Sequence, residues 1–143
     1  MTARELLDIL SVAEKLKDAT RHCYTSGGRH ESVAEHSWQL ALIAYLIKDE
    51  IPEADMEKVI KMCLIHDLGE AFTGDIFTFA KTKDDETLEE NLLNNWLSNL
   101  PENIAEEMVE LFAEMAERTT VEARVFKALD GLEALIQHNF SDL

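Results

Sequence analysis

Apolar residues in this chain return every three or four positions, in stretch after stretch, and almost nowhere every second one. That is the period of a helix burying one face, and it constrains the fold more than any other feature. Leu6, Leu7, Leu10, Ala13 and Leu16 mark a helix from Arg4 to Ala19. Val33, Leu40, Ile43 and Ile47 mark a second from Glu31 to Glu50, and Met56, Val59, Ile60, Cys63 and Leu64 a third from about Ala54 to Glu70. Charged helices are predicted over Asp84–Asn99 and Pro101–Glu117. A last one, Thr120 to about Asn139, carries Val121, Val125, Leu129, Leu132 and Ile136. Thr20–His30, with Gly27-Gly28, reads as a loop, and so does Ile76–Lys83 after the Thr73-Gly74-Asp75 break. With 143 residues, no repeat and no linker, the expectation is one all-α domain over 1–143, a bundle of about six helices.

Charge narrows the partners. Thirteen Lys plus Arg against 29 Asp plus Glu leave a net charge of −16. Nucleic acid and anionic membrane surfaces both need clustered cations, so neither is an expected partner. No apolar run approaches the ~18 residues of a membrane span, and the first ten residues lack the pattern of a signal peptide. Cys23 and Cys63 form no CxxC pair and no disulfide framework. A cytoplasmic location is expected on these grounds. An anionic substrate would need a local positive site, such as a metal or a few placed arginines.

Polar residues interrupt the apolar stripes at a few places. His36 falls on the Val33, Leu40, Ile43, Ile47 face, and Asp130 lies between Leu129 and Leu132. His66-Asp67 ends the run Met62-Cys63-Leu64-Ile65, with Glu70 one turn on. A lone inward histidine is more often a satisfied core residue than a ligand. Two His and two Asp intruding from three helices are most simply satisfied together by a shared divalent cation. Imidazole and carboxylate donors without thiolate suit Mn, Co, Fe, Ni, Zn or Mg and argue against a zinc finger. Four protein donors on an octahedral ion leave positions for water and a substrate oxygen, where water is acidified and a phosphoryl group polarised.

The order His36, His66-Asp67, Asp130 resembles the signature of the HD-domain metal-dependent phosphohydrolases. Ser32-Val-Ala-Glu-His36 and His66-Asp-Leu-Gly-Glu70-Ala-Phe-Thr-Gly-Asp75 are similar to the branch of bacterial 5′-deoxynucleotidases and their eukaryotic relatives, from about Leu16 to Ile136. The resemblance implies an HD-domain helical bundle with one divalent metal ion on His36, His66, Asp67 and Asp130. It implies catalytic roles for Glu70 and Asp75, and a phosphate contact from Arg21. His22 stands where the bacterial enzymes carry a tryptophan near the deoxyribose, which leaves ribo and deoxyribo substrates both open. Arg29, in the same loop, joins Arg21 and His22 as a candidate substrate contact. The implied activity is hydrolysis of (deoxy)nucleoside 5′-monophosphates to nucleoside and phosphate, and relatives form homodimers. The chain stops thirteen residues after Asp130, so it reads as a shortened member or a C-terminal truncation.

Two other functions fit a bundle of this kind. One is phosphohydrolysis of a cyclic nucleotide, a guanosine polyphosphate or a small phosphoester. Residues 68–129 hold no further His for a second metal, and Ala71 stands where guanosine polyphosphate hydrolases show an acid. The other is a non-catalytic adaptor, against which Glu70 and Asp75 both argue. Trp38, Tyr45, Phe72 and Cys63 are expected in the core, Trp96 as a packing residue, and His138 exposed.

Overall fold

Short hydroxyl and carboxylate side chains start most of the helices. Thr2 and Thr82 form capping boxes with Glu5 and Asp85, and the Ser32 and Asp55 side chains accept from the Glu35 and Lys58 amides. Each satisfies an N–H that a helix start would otherwise orphan. In the computed structural model, which describes residues 1–74 and 80–141, the caps lead into α1 (Ala3–Ala13), α2 (Val33–Leu46), α3 (Met56–Ile65) and α5 (Lys83–Leu97). A one-turn α4 (Glu70–Thr73) follows α3, and α6 (Glu102–Glu117) and α7 (Val121–Ser141) complete the helices. Six of these are ten or more residues long, as the apolar period predicts.

The stretch expected to be a loop is a hairpin. β1 (Thr20–Tyr24) pairs antiparallel with β2 (His30–Ser32), and Gly28, at φ 88°, helps turn the chain between them. Strands this short carry too few residues for an alternating pattern to register. A two-stranded ribbon is marginal alone, and here β1 lies against α7, with Gln137 Nε2 donating to the Tyr24 carbonyl at 2.9 Å. Ser32 both ends β2 and caps α2, so the hairpin feeds directly into the helix that carries His36.

The third helix also departs from expectation. Regular α geometry stops at Ile65, and the amides of Leu68, Glu70, Ala71 and Phe72 bond back three residues instead of four. Such a tightened turn eclipses side chains three apart, bringing Asp67 and Glu70 onto one side.

The main core is formed where α2 packs on α3 and both meet α7. Leu40, Ala44, Val59, Met62 and Cys63 are sealed there, with Leu111 and Met115 from α6 and Phe126 and Leu129 from α7. A smaller cluster of Leu16, Val33 and Leu68, with Trp96 packed against it, lies beneath α5. Three expectations are corrected. Trp38 and Tyr45 are exposed rather than core, because the inward face of α2 runs through Val33, His36, Ser37, Leu40, Ala41 and Ala44 and leaves them opposite. Leu6, Leu7 and Leu10 are likewise exposed, since α1 contributes only its Ile9, Val12 and Ala13 side to the body. On α7 the inward face is Ala123, Phe126, Leu129, Glu133 and Gln137, which leaves Leu132 outside. Phe72 is half-buried, edge-on to Trp96, and His138 is exposed. No helix among the described residues is long and apolar enough to cross a membrane.

Both thiols are buried. Burial pushes the Cys63 thiol up to about 12; burial, then the Glu31 carboxylate, pushes Cys23 up to about 11. A raised thiol pKa means a smaller thiolate fraction at any pH below it, and the thiolate is the reactive form. Native protein at mildly alkaline pH is therefore expected to react with dithiobis(nitrobenzoate) far more slowly than unfolded protein. Rapid release of two equivalents of chromophore from the native chain would contradict this burial.

Candidate metal centre

Four side chains from three elements converge at one end of the α2–α3–α7 core. His36 comes from the first turns of α2, His66 and Asp67 from the tightened turn after α3, and Asp130 from mid-α7. His36 Nε2 lies 2.9 Å from Asp130 Oδ1, 3.3 Å from His66 Nε2 and 3.8 Å from Asp67 Oδ2. His66 Nε2 lies 3.1 Å from Asp67 Oδ2 and 3.5 Å from Asp130 Oδ1.

The opposite nitrogens of the two rings decide what this cluster can hold. His66 Nδ1 is 2.8 Å from the Cys63 carbonyl, which can only accept, so that nitrogen carries the proton. His36 Nδ1 faces Glu133 Oε2. With both Nδ1 positions protonated, neutral rings would aim two Nε2 lone pairs at each other and at two carboxylates. Only protons or a cation relieve that repulsion. Burial pulls the His66 imidazole down, but Asp67 and Asp130 outweigh it and push its pKa up to about 10. His36 shifts the same way against its own burial, through Asp130 and Glu133. The two imidazoles in turn hold Asp130 and Asp67 below the usual carboxylate range, against burial that acts to raise them. A group of donors so poised to share positive charge fits a divalent ion. Donors ~2.0–2.2 Å from one ion lie about 3 Å apart when adjacent, which is the spacing seen here. Ligand imidazoles must be neutral, so an ion would take the place of the ring protons.

The rim adds a cation and an acid. Arg21, on β1, sets its Nε 3.2 Å from Glu31 Oε1 and its Nη1 3.9 Å from Asp67 Oδ2. Glu31 is buried in β2; burial, then Glu133, raises its pKa, while Arg21 opposes the rise. Glu70, three residues after Asp67 at the start of α4, is buried. His22 is exposed, next to Arg21 on β1. Arg29 is exposed and tied to Glu35 Oε1 at 2.9 Å and to the His30 carbonyl, and the structure does not bring it to the cluster. Asp75 lies outside the described residues.

Sequence reasoning missed the polar support behind His36. Glu133 is fully buried, its Oε1 accepts from Gln39 Nε2 at 2.9 Å, and Gln39 also donates to Gln137 Oε1 at 3.2 Å. The available signal was spacing: Glu133 and Gln137 follow Asp130 at three and seven residues, along the helix face that Asp130 occupies. An apolar-stripe reading passes over such a face because its members are polar.

Known proteins resemble this chain over most of its length. Residues 13–142 match the family model described as HD domain. A human protein named 5′-deoxynucleotidase HDDC2 is 31% identical over 139 residues, covering 94% of this chain and 67% of that protein. The Dictyostelium discoideum protein of the same name is 30% identical over 141 residues, covering 92% and 74%. A crystal structure from Magnetospirillum magnetotacticum, described as a predicted metal-dependent phosphohydrolase, superposes with TM-score 0.84 at 32% identity, covering 97% of this chain and 71% of that one.

Because each donor faces the others, removing one should weaken the group's hold on an ion without unfolding the bundle. Asp130→Asn and His66→Gln are expected to purify with well under one equivalent of divalent metal, measured by elemental analysis after loading and desalting. Their helical circular dichroism should match that of the parent. Full metal content in both variants would overturn the assignment.

Proposed function

The chain belongs to the HD-domain family, and from that premise we propose that it is a metal-dependent phosphomonoesterase hydrolysing (deoxy)nucleoside 5′-monophosphates to nucleoside and phosphate. The observation that carries this reading is the convergence of two imidazole nitrogens and two carboxylates beside an arginine and a buried glutamate. One divalent ion, of Mn, Co, Fe, Ni, Zn or Mg, is assigned to His36, His66, Asp67 and Asp130. Bound there, it would supply Lewis-acid neutralisation of charge on the phosphoryl oxygens.

The chain's own groups do the rest. Phosphoryl transfer demands positioning and charge stabilisation more than covalent chemistry. At a net charge of −16, long-range electrostatics repel a nucleotide dianion, so its phosphate must be held by short-range contacts. Arg21 is assigned to hold it, since Glu31 lies 3.2 Å from its Nε and its Nη1 lies 3.9 Å from Asp67; Lys127 Nζ is a second cation, 3.9 Å from Asp130. Glu70 and Asp75 are together assigned the acid–base work of orienting the attacking water and protonating the departing 5′-oxygen. His22, exposed beside Arg21 on β1, is assigned to the nucleoside side of the substrate, whereas Arg29, held by Glu35 away from the cluster, is given no substrate role.

We extend the reading to a cytoplasmic homodimer. Trp38, Leu42, Tyr45 and Leu46 form an exposed apolar stripe along α2, the sort of surface a second copy covers. Sedimentation equilibrium is expected to give twice the chain mass, and Tyr45→Glu to lower it to the single-chain value. A monomeric parent would dismiss this extension alone.

A phosphate-release panel of ribo- and deoxynucleoside 3′- and 5′-monophosphates, each with several divalent metals, tests the activity. Release confined to 5′-monophosphates and dependent on metal is expected; release only from cyclic nucleotides or guanosine polyphosphates would replace the substrate class. Glu70→Ala should retain metal and lose ~10²-fold or more in turnover, the loss expected for an acid–base group. Arg21→Ala should raise KM by about ten- to 150-fold, equivalent to ~1.5–3 kcal/mol for a hydrogen bond to a charged group. Wild-type kinetics in both variants would sink the assigned roles.

A further inference from the structure

His36 is sealed between two acidic surroundings. Its Nε2 edge faces the cluster, and its Nδ1 edge faces Glu133, a carboxylate with no solvent exposure. An ionised carboxylate only accepts, so the bond between them runs from Nδ1–H to Oε2. The second carboxylate oxygen is occupied as well, by the Gln39 amide at 2.9 Å. Gln39 lies one turn after His36 on α2, and Glu133 lies one turn after Asp130 on α7. The pair therefore clamps the two helices together directly behind the donors they present.

The clamp extends further. Gln137, one turn beyond Glu133, takes the second Gln39 contact on its Oε1 and donates through Nε2 to the Tyr24 carbonyl of β1. β1 is the strand that carries Arg21. One chain of side-chain bonds thus runs from His36 through Glu133, Gln39 and Gln137 to the hairpin.

A carboxylate taken wholly out of water is retained at a cost unless strong donors face it. An apolar side chain would fill the same volume between α2 and α7 without that cost. What the carboxylate supplies and leucine cannot is a fixed acceptor for one ring nitrogen. Which nitrogen of a ligand imidazole carries its proton is set by the hydrogen bond that the other one makes.

We infer that Glu133 is a positioning residue: it holds the His36 ring with its proton on Nδ1, so that the Nε2 lone pair is presented to the cation site, and Gln39 and Gln137 keep Glu133 in place. The inference rests on the metal reading above. Glu133 itself is fully buried on the Nδ1 side of His36, away from the Nε2 edge that faces the other donors. Its effect reaches the site through His36, as outer carboxylates act on ligand imidazoles generally. Glu133 thereby differs from Glu31, the other buried acid nearby, whose oxygen is engaged by Arg21 and Cys23.

The test measures metal affinity rather than turnover. Wild-type, Glu133→Gln, Glu133→Leu and Gln39→Ala proteins are titrated with Zn²⁺ and Mn²⁺ against a fluorescent chelator, and their metal-free melting temperatures are recorded. Glu133→Leu is expected to weaken Kd by ~10–100-fold, the range for losing an outer-shell partner. Glu133→Gln, which keeps an acceptor but no charge, should fall between it and wild-type. Gln39→Ala should weaken Kd by a smaller factor, and it probes the same chain without emptying the core. A purely structural Glu133 would lower melting temperature and leave the Kd of folded protein unchanged.

Ring-nitrogen NMR of the Zn²⁺-loaded protein supplies the second readout. A directly bonded, slowly exchanging proton is expected on His36 Nδ1 in wild-type and is expected to be lost or exchange-broadened in Glu133→Leu. Kd values within twofold of wild-type in all three variants, or a wild-type ring protonated on Nε2, would overturn the inference while the metal reading stands. A wild-type chain that takes up neither ion would instead overturn the metal reading, and this inference with it.

Discussion

Two imidazole nitrogens held 3.3 Å apart, with two carboxylate oxygens beside them, cannot coexist without positive charge between them. Much of the surrounding architecture is arranged to bring them together. α2, α3 and α7 form the main core, and each delivers donors to the same end of it. The apolar packing of Leu40, Met62 and Leu129 sets the helices' separation, and the polar side chains of the same helices then meet at that separation. Stability and site are not separable here, because the burial that drives assembly also strengthens every charge interaction inside it.

The tightened turn after α3 serves the same end. In regular α geometry residues three apart, such as Asp67 and Glu70, already lie about 60° apart around the axis. Bonds back to the third residue stack Asp67 and Glu70 on one side, with His66 still edge-on to Phe126. A carboxylate of the cluster and a buried acid thereby share one short segment. Gly74, at φ 76°, follows at the end of α4 and turns the chain in a conformation open to few other residues.

An acidic surface around such a centre changes how it works. With 29 acids against 13 bases, the protein cannot draw an anionic substrate in from a distance. On the proposed reading it would rely on Arg21, paired with Glu31, and on a cation held by the cluster. On that reading, selectivity for phosphate over other anions would come from contacts at the site rather than from the field of the whole molecule.

The sequence alone determined the helical class and the places where histidine and aspartate broke its apolar stripes, because burial of a helix face leaves a period that can be read in one dimension. The positions of His36, His66, Asp67 and Asp130 were legible for that reason, as residues too costly to bury without partners, whereas Glu70 stood out only through the resemblance to the HD-domain motif. Tertiary structure decided what period cannot express. It turned Thr20–Ser32 into a hairpin, since strands of five and three residues leave no countable alternation. It rotated the inward face of α7 from Leu132 to Glu133 and that of α2 away from Trp38 and Tyr45, because a stripe of polar core residues has no hydrophobic phase. It also paired Arg21 with Glu31 and left Arg29 with Glu35, a choice between two basic residues of one segment that only packing against α7 and α2 could make.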